Sequence, residues 1–476
     1  MSAPRVIVEA AEAFERDTTL RLPFRFGVVT LREAPQAFVR ATVALPEGRR
    51  ATGVAAELMV PKWFDKRPAL SEADTVDQLR RSLAAARDVA TTSVANTVAG
   101  HTARLERELA DRLPDEPGLV QGFGPALVSR AITDALCRLL DVSFYEAIRT
   151  DAVGLAAGPL PDDLAGFDLP VFLASLAPGT SIAARHTVGM VDALTEAEVG
   201  ERVGDGLPES LEAAIATYGL TWFKLKLGGN ADADIDRLVR IAAVLDRLPD
   251  YRATLDGNEQ FADAAAAAAL LERIEAEPRL ARLRASVLYL EQPIHRAAAL
   301  AEPLGALGTR IPVIIDESDA DLSSFATARG LGYRGVSSKT CKGVFRAILN
   351  AARCRHWASG PYVLSGEDLT SQAGVSVQQD LALVALLGLE HVERNGHHYV
   401  DGMAGAGAAE MDGFARAHPD LYRRDERGLH LKITAGRIAL GSLACPGFAT
   451  GAEPDFASMH PLRTPNRRSP ATAQQG

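Results

Sequence analysis

Acidic and basic residues stand at the ends of short apolar runs in the central part of the chain. In Trp222-Phe223-Lys224-Leu225-Lys226, the lysines are two residues apart, so in a strand both point to one face. The runs that follow end at, or just before, Asp256, Glu291, Asp316 and Lys339. Three clustered carboxylates would repel each other without a cation, and buried lysines need anionic partners. The combination indicates a divalent-cation site flanked by ammonium groups.

Each of these motifs also has an ordinary explanation. A lone Lys-x-Lys is usually a solvated strand edge, and a lone Asp-Gly, as in Asp256-Gly257, is usually a turn. What favours a site is the repetition of acidic residues after three consecutive buried strands.

The candidate ligands Asp256, Glu291 and Asp316 offer only hard carboxylate oxygens. Mg²⁺ prefers such ligands, with Mn²⁺ as the alternative, whereas Zn²⁺ is disfavoured because no Cys or His converges with them. Three carboxylates leave about half of an octahedral shell open to waters and substrate oxygens, as a working site requires.

The spacing of the apolar runs predicts the fold that brings these residues together. Runs of this kind, covered on both faces and separated by amphipathic helices, are typical of a parallel sheet. Six of them occupy residues 222–227, 251–255, 286–290, 311–315, 335–338 and 362–364. Strands at 181–191 and 391–399 would complete a (β/α) barrel of eight strands, whose active site lies at the carboxyl ends of the strands. A doubly wound open sheet is the alternative, but it gives no reason for charged residues at every strand end.

The chain outside the barrel has a different character. An alternating hairpin over residues 24–60 and helical segments at 71–112 and 125–148 predict an N-terminal α+β domain. We expect domain boundaries at 1–165 for this domain and 166–402 for the barrel. Residues 403–460 are expected to pack back on the first domain, through the weakly alternating segment 429–448, and residues 461–476 to form a disordered tail.

Composition excludes several classes of protein. The 476 residues are 47% hydrophobic and 24% charged, as in globular proteins, and the formal net charge of −10 comes with no basic block for nucleic acid. No apolar run is long enough to span a membrane, and residues 1–16 do not resemble a signal peptide. The four cysteines lack metal-binding or disulfide spacing. We expect a cytoplasmic protein.

The ordered motifs resemble those of the enolase superfamily, in its muconate lactonizing enzyme-like subgroup of the mandelate racemase/muconate lactonizing enzyme family. The motifs are Lys224-Leu225-Lys226, Asp256-Gly257-Asn258, Glu291-Gln292-Pro293, Asp316-Glu317-Ser318 and Lys339. The resemblance covers most of the chain and implies a modified TIM-type barrel with an N-terminal capping domain. Capping loops that select the substrate would lie at about 21–30 and 57–66.

The resemblance also implies roles for the motif residues. Asp256, Glu291 and Asp316 would bind Mg²⁺, and Lys226 would be the base on one face of the substrate. Lys339 would be the acid or base on the opposite face. Lys224 would help to hold the substrate carboxylate and lower the proton affinity of Lys226.

Some positions depart from the family pattern or stay open. Lys342 competes with Lys339, but in strand geometry it would point away from the face that Lys339 occupies, or it would lie in the loop, and we keep Lys339. The seventh strand ends without the His of mandelate racemase-like members. Polar residues near the strand ends could contact substrate or support the site: Asn258, Glu317, Glu367 and Asp368. For His186, His397 and His398 the sequence favours packing but assigns no role.

The sequence therefore predicts an enzyme that removes the proton α to a carboxylate through a metal-stabilised enediolate. Cycloisomerisation, epimerisation or racemisation, and syn-elimination all remain open. The alternatives are an acid-sugar dehydratase of the same superfamily and a non-catalytic barrel that binds a metal-carboxylate complex. The expected partners are a small-molecule carboxylate and further copies of the chain in a homo-oligomer, with neither nucleic acid nor membrane.

Overall fold

The N-terminal domain is built on an antiparallel sheet in the computed structural model, which describes residues 3–27, 29–357 and 360–465. Its strands are β1 (Ile7–Phe26), β2 (Val29–Ala44) and β3 (Arg50–Leu58). The predicted hairpin corresponds to β2 and β3, which turn at residues 45–49. The long strand β1 was not predicted, because its many charged residues mask the alternation of buried positions.

Helices cover this sheet: α1 (Glu72–Thr91), α2 (Val98–Arg112), α3 (Gly118–Leu140) and α4 (Phe144–Arg149). Ser71 begins α1 with a capping box, and its side chain accepts from the backbone N–H of Asp74. The predicted second helical segment begins seven residues earlier than expected, so that Pro125 lies inside α3. Pro125 has no N–H to donate to the Gln121 carbonyl, which accepts a hydrogen bond from Ser82 Oγ at 3.3 Å instead.

A closed barrel of eight parallel strands follows the short helix α5 (Leu169–Ser175). The strands are β4 (Ser181–Val188), β5 (Trp222–Lys226), β6 (Arg252–Asp256), β7 (Val287–Glu291), β8 (Val313–Ile315), β9 (Gly335–Ser338), β10 (Val363–Gly366) and β11 (His391–Arg394). Each strand pairs with its neighbour along the chain, and β11 closes the ring by pairing with β4. The predicted barrel is thus confirmed and the open sheet is excluded.

Helices surround the barrel: α6 (Leu211–Tyr218), α7 (Ala231–Leu245), α8 (Ala264–Ala276), α9 (Ala281–Ser286), α10 (Arg296–Ala299), α11 (Leu307–Arg310), α12 (Ser324–Gly330), α13 (Val344–His356), α14 (Val375–Leu386) and α15 (Gly396–Tyr399). The predicted eighth strand is too long, since β11 ends at Arg394 and residues 396–399 form α15. His397 and His398 therefore follow helical rather than strand geometry.

The C-terminal segment contributes α16 (Ala408–Ala417), β12 (Tyr422–Arg424), β13 (Leu429–Leu431), β14 (Ile433–Thr434), β15 (Arg437–Ala439) and β16 (His460–Pro461). The expected return to the first domain is made by Phe448, which stacks on Phe144 at 3.8 Å, and by β16, which pairs with β1. The hairpin of β14 and β15 instead extends the barrel sheet, antiparallel to β4.

The tail was expected to be disordered from residue 461. Residues 461–465 are described, and Arg463 forms an ion pair with Asp17 at 2.7 Å. Residues 466–476 lie outside the described part of the chain. None of the helices in the described residues is both long and apolar enough to cross a membrane.

Candidate active site

The five motif strands deliver their charged side chains to one end of the barrel. In the register of the sheet, Lys226 lies beside Asp256, and Asp256 lies beside Glu291. Asp316 follows β8, and Lys339 follows β9. All of these side chains are buried. Since carboxyl ends of parallel barrel strands meet at one rim, residues from distant parts of the chain form one cluster.

The ammonium group of Lys224 lies at the centre of this cluster. Its Nζ is 2.9 Å from Asp256, 2.8 Å from Glu291, 2.6 Å from Glu367 and 3.1 Å from Glu393. Burial alone would lower the pKa of Lys224, but the four carboxylates outweigh it and raise that pKa well above its usual value. Lys224 is therefore a permanent positive charge, suited to holding anions rather than to exchanging protons.

Glu291 is the least satisfied acid of the cluster. Neither of its oxygens accepts a hydrogen bond, although Lys224 Nζ is 2.8 Å from Oε2. Burial, reinforced by the carboxylates of Asp256 and Glu367, raises the pKa of Glu291 well above its ordinary value. A buried carboxyl group in this state needs additional positive charge to ionise.

The lysines Lys226 and Lys339 each bind one of the other predicted ligands. Lys226 Nζ donates to Asp256 Oδ2 at 2.6 Å, and Lys339 Nζ donates to Asp316 Oδ2 at 2.7 Å. Burial alone would raise the pKa of Asp316, but Lys339 and Lys342 outweigh it and hold that pKa far below its usual range. Burial would likewise lower the pKa of Lys339, which Asp316 nevertheless raises.

The three predicted metal ligands thus meet lysines rather than one another. In residues 3–27, 29–357 and 360–465, no group of three or more His, Cys, Asp or Glu side chains is arranged so that it could hold a metal ion. The physical reason is the central ammonium group of Lys224, together with the pairing of Asp256 and Asp316 to Lys226 and Lys339. Lysine side chains are flexible, so these groups can withdraw without a change in the backbone.

The capping domain closes the mouth of the barrel over the two outer lysines. Both predicted capping loops contribute: Phe24 and Phe26 come from 21–30, in which Val28 lies outside the described residues, and Val60 and Trp63 come from 57–66. Lys339 Nζ lies 4.2 Å from the centre of the Trp63 ring, and Lys226 Nζ lies 5.8 Å from that of Phe24. These are cation–π distances.

The enclosed pocket has a free volume of about 20 Å³, little more than one water molecule requires. Lys224, Lys226, Asp256, Asp316 and Lys339 all line it. A substrate can therefore fit only if the side chains that line the pocket, or the capping loops, move.

The four supporting residues predicted from sequence divide into two groups. Asn258 lines the pocket, and Glu367 binds Lys224. Glu317 instead faces the capping domain, where Lys66 Nζ lies 3.4 Å from Oε1. Asp368 lines the pocket, but its oxygens accept backbone N–H groups of Leu369, Ser371 and Asn395. Asp368 is therefore a loop-stabilising residue in this geometry.

Sequence reasoning missed two charged residues that complete the cluster. Glu393, one residue before the end of β11, binds Lys224, and the pKa of Glu393 is well below its usual value because nearby lysines outweigh burial. Arg185, inside β4, forms a buried ion pair with Glu367 and donates to Tyr289 Oη at 2.7 Å. Extending the rule of charged strand ends to β11 would have identified Glu393, but Arg185 gives no comparable signal.

Lys342 was expected to point away from the face of Lys339 or to lie in the loop; it lies in the turn after β9, but its amine does reach the site. The helical turn Thr340–Lys342 brings its amine back, so that Nζ donates to Ser337 Oγ at 2.8 Å and lies 3.2 Å from Asp319. It also lies 3.4 Å from Asp316 Oδ1, beside the atom that Lys339 does not use. One compositional signal could have found it: the chain has seven lysines among its 51 basic residues. Five of these seven lysines lie at the barrel mouth: Lys66, Lys224, Lys226, Lys339 and Lys342.

The three histidines left open by the sequence form a buried cluster. His186 Nδ1 and His397 Nε2 are 3.0 Å apart, and the His186 and His398 rings lie 5.0 Å apart. Burial, the neighbouring His398 and Arg394 together lower the pKa of His397 to about 3. None of the three lines the pocket between the lysines, so packing is the role that their positions support.

The fold and the buried lysine–carboxylate cluster define a capped β/α barrel of the enolase type. Residues 206–410 match the family model described as Enolase C-terminal domain-like. This match confirms the resemblance to the enolase superfamily, and to its mandelate racemase/muconate lactonizing enzyme-like members, that the motifs indicated. No curated protein matches the chain in sequence.

Solved structures with the same fold include three enzymes of this kind. A 2-chloromuconate cycloisomerase from Rhodococcus opacus 1CP has 17% identity and a TM-score of 0.62, covering 97% of this chain and 100% of that one. A dipeptide epimerase from Enterococcus faecalis V583, complexed with Mg and L-Leu-L-Tyr, has 12% identity and a TM-score of 0.60, covering 93% and 99%. An enolase from Bradyrhizobium, complexed with magnesium and mandelic acid, has 16% identity and a TM-score of 0.59, covering 96% and 98%. At these identities the likeness shows the fold alone.

Proposed function

We propose that the chain is a Mg²⁺-dependent enzyme that removes the proton α to a substrate carboxylate. The observation that carries this proposal is the pair Lys226 and Lys339 in one pocket. These lysines follow the second and sixth strands of an eight-strand ring, and so approach the pocket from opposite sides. A molecule held between them presents a different face to each amine.

The donor chemistry of the cluster fits a hard divalent cation. Asp256, Glu291 and Asp316 would hold it through carboxylate oxygens. The two Glu291 oxygens, buried and without a hydrogen bond, support this assignment, because an unsatisfied buried carboxyl group is costly unless something binds it. Lys224, Lys226 and Lys339 would have to release these acids to the ion.

The charge balance of the cluster supports the same conclusion. Six carboxylates (Asp256, Glu291, Asp316, Asp319, Glu367 and Glu393) face five cations (Lys224, Lys226, Lys339, Lys342 and Arg185). The fully ionised cluster therefore carries one excess negative charge. A divalent cation would convert it to one excess positive charge, which a single substrate carboxylate neutralises. Buried charge is stable only when balanced in this way.

Mg²⁺ bound by these acids would stabilise the negative charge that develops on the substrate carboxylate when the α-proton leaves. The residues of the chain carry the proton. Lys226 Nζ would accept it on one face, and Lys339 Nζ would deliver or accept a proton on the other. Lys224, which four carboxylates keep charged, would contribute a fixed positive charge near the substrate. Epimerisation, cycloisomerisation and syn-elimination all begin with this step.

The walls of the pocket restrict the substrate. Its cap side consists of Phe24, Phe26, Val60 and Trp63, which favour an apolar group on the carbon next to the carboxylate. The polar groups lie on the barrel side. We therefore infer a small carboxylate with an apolar or aromatic substituent.

Hydrogen–deuterium exchange at the α-carbon tests this proposal. The enzyme is incubated with Mg²⁺ in D₂O with N-acyl amino acids, dipeptides and 2-hydroxy acids of both configurations, and loss of the α-proton is followed by ¹H NMR. Lys226→Ala should abolish exchange for one configuration and Lys339→Ala for the other, each by at least about a hundredfold, as for loss of a general base.

Lys62→Ala is the matched control, because Lys62 lies in the capping loop 57–66 without lining the pocket, and its amine donates to the backbone carbonyl oxygens of Arg67 and Leu70. It should leave exchange unchanged. Undiminished exchange in both single variants would refute the lysine roles, and no exchange on any compound would favour a barrel that binds carboxylates without turning them over.

A further inference from the structure

A second cavity lies outside the candidate active site, and its wall is cationic. It has a volume of about 200 Å³ and lies between the end of β11, the end of α6 and the C-terminal strands β12 to β14. Its basic lining residues are Arg394, His397, Arg423, His430 and Lys432, and no Asp or Glu lines it. This composition is unexpected in a chain with a formal net charge of −10.

Three buried side chains that line the cavity have unused polar atoms. Arg394 is 1% exposed, and His397 and His430 are both 8% exposed. Arg394 Nε, His397 Nδ1 and His430 Nε2 make no hydrogen bond within the described part of the chain, although His430 Nε2 lies 3.8 Å from both Asp401 and Asp425. Buried polar atoms are normally paired, so three unpaired ones around one cavity indicate a missing partner.

The charges of the lining residues are only partly compensated. Arg394 is paired with Asp380 and Asp368 on the side away from the cavity, and Arg423 lies 3.2 Å from Asp425. Lys432 has no ion pair among the residues that the structure describes. The cavity therefore combines two partly neutralised guanidinium groups, one free ammonium group and two histidines.

The cavity is separated from the active-site pocket by a shared wall. Asp368, Leu369 and Thr370 face the pocket between the lysines, whereas Ser371 and Ala373, further along the same loop, face the cavity. In the same way, Asn395 lines the active-site pocket, whereas its neighbour Arg394 lines the cavity. None of the proposed metal ligands or proton carriers lines the cavity, so it is a distinct site.

We propose that this cavity binds a small phosphate-class dianion. Three cationic groups that reach it from β11, β12 and the β13–β14 connection suit the several oxygens of a tetrahedral anion better than a planar carboxylate. Ser371, Thr217 and Thr434 supply hydroxyl groups in the same wall. Its volume lies below the roughly 300 Å³ at which sites for drug-sized ligands begin, which limits the ligand to a small ion or ester.

Isothermal titration of the full-length, Mg²⁺-loaded protein with inorganic phosphate, at constant ionic strength, tests the proposal. We expect saturable binding of one phosphate per chain. The double variant Arg423→Ala/Lys432→Ala should raise the Kd for phosphate at least tenfold. Both side chains are exposed at the cavity rim, so their loss should leave the fold intact.

The matched control is Arg355→Ala/Arg416→Ala, which removes the same charge from exposed positions outside the cavity. It should change the Kd less than twofold. In hydrogen–deuterium exchange, phosphate should protect peptides that span residues 423–434 in the wild type but not in the double cavity variant. Malonate, tested in parallel, should bind at least tenfold more weakly than phosphate.

Three results would overturn the proposal: no saturable binding to the wild type, an unchanged Kd in the double cavity variant, or equal affinity for malonate. The second would show that phosphate binding does not depend on the cationic rim of this cavity.

Discussion

Lys66 holds the capping loop against the barrel, and its removal has a calculable, pH-dependent effect. Its Nζ lies 2.5 Å from Glu259, 3.4 Å from Glu317 and 3.2 Å from the Asn258 carbonyl oxygen. Glu259 also pairs with Arg296 at 2.8 Å, so it keeps a cation when Lys66 is lost. Glu317 is 1% exposed and has no other ion pair among the described residues.

Lys66→Ala therefore leaves Glu317 buried without a counter-ion. Burial already raises the pKa of Glu317 although Lys66 opposes that shift, so loss of Lys66 should raise this pKa further and favour the protonated carboxyl group in the folded state. The proton must be taken up at pH 7 by a group whose unfolded pKa is about 4.5, which costs about 1.4 kcal/mol per pH unit, or about 3 kcal/mol. This cost lies at the lower end of the roughly 3 to 5 kcal/mol of an unpaired buried charge, so the protonated form is the favoured one.

The sign of the pH dependence follows directly. A carboxyl group whose folded pKa is raised makes the native state bind more protons, so stability falls as the pH rises above about 4.5. The loss caused by Lys66→Ala should therefore shrink from about 3 kcal/mol at pH 7 to less than about 1 kcal/mol at pH 5.

Urea unfolding of the wild type and Lys66→Ala at both pH values measures this difference. Lys66→Ala/Glu317→Gln should recover most of the stability at pH 7, because an amide needs no proton. Lys62→Ala, whose amine meets only backbone oxygens among its hydrogen bonds, should show no such pH dependence. A loss of equal size at pH 5 and pH 7, or no recovery in the double variant, would refute the reasoning.

Three further outcomes are expected. Glu291→Gln should weaken Mg²⁺ binding at least about a hundredfold in calorimetric titration. It should not lower the stability of the metal-free protein, because the raised pKa of Glu291 already favours its neutral form. Undiminished Mg²⁺ affinity would remove Glu291 from the ligand set. Trp63→Ala should raise the KM for substrates with aromatic groups more than that for small ones, and equal effects would contradict its place over the substrate. The pKa of His397 is about 3 in the folded protein and 6.5 in the unfolded chain. Between these two values the unfolded chain binds the extra proton, so the free energy of unfolding falls by about 1.4 kcal/mol for each pH unit of acidification. His397→Asn should flatten this acid loss in urea unfolding, and an unchanged slope would contradict it.

The repeated units of the barrel could be predicted from sequence because their strands are buried on both faces. Residues 222–227 and 335–338 were predicted within a residue or two of β5 and β9. The charged residue at each strand end then fixed which side chains meet. Local sequence patterns alone do not show which distant residues meet. That information comes from the general rule that the carboxyl ends of barrel strands lie at one rim.

Other features depend on tertiary contacts that leave no local pattern. One edge of strand β1 is covered only partly, by the short strand β16. Strand β1 therefore carries many charged residues, and these hide its alternation of buried and exposed positions. Lys342 reaches Asp316 because a helical turn reverses its direction. Arg185 is buried in a strand interior, where its partners come from β7 and β10, remote in sequence.

The pairing of Asp256 and Asp316 with lysines also could not be read from sequence. Motif spacing predicts that carboxylates and amines share one pocket, but which oxygen each amine binds depends on side-chain geometry. Lys224 was expected to contact a substrate carboxylate, and it contacts four carboxylates of the chain itself.

Crystals grown with Mn²⁺ in place of Mg²⁺, and measured at a wavelength where Mn²⁺ scatters anomalously, give the most direct test of the proposed metal site. We predict one anomalous peak at the barrel mouth, bonded to carboxylate oxygens of Asp256, Glu291 and Asp316, with the Lys224 amine displaced from Glu291. No peak there, or a peak bonded to other residues, would contradict the proposal that these three acids bind the catalytic ion.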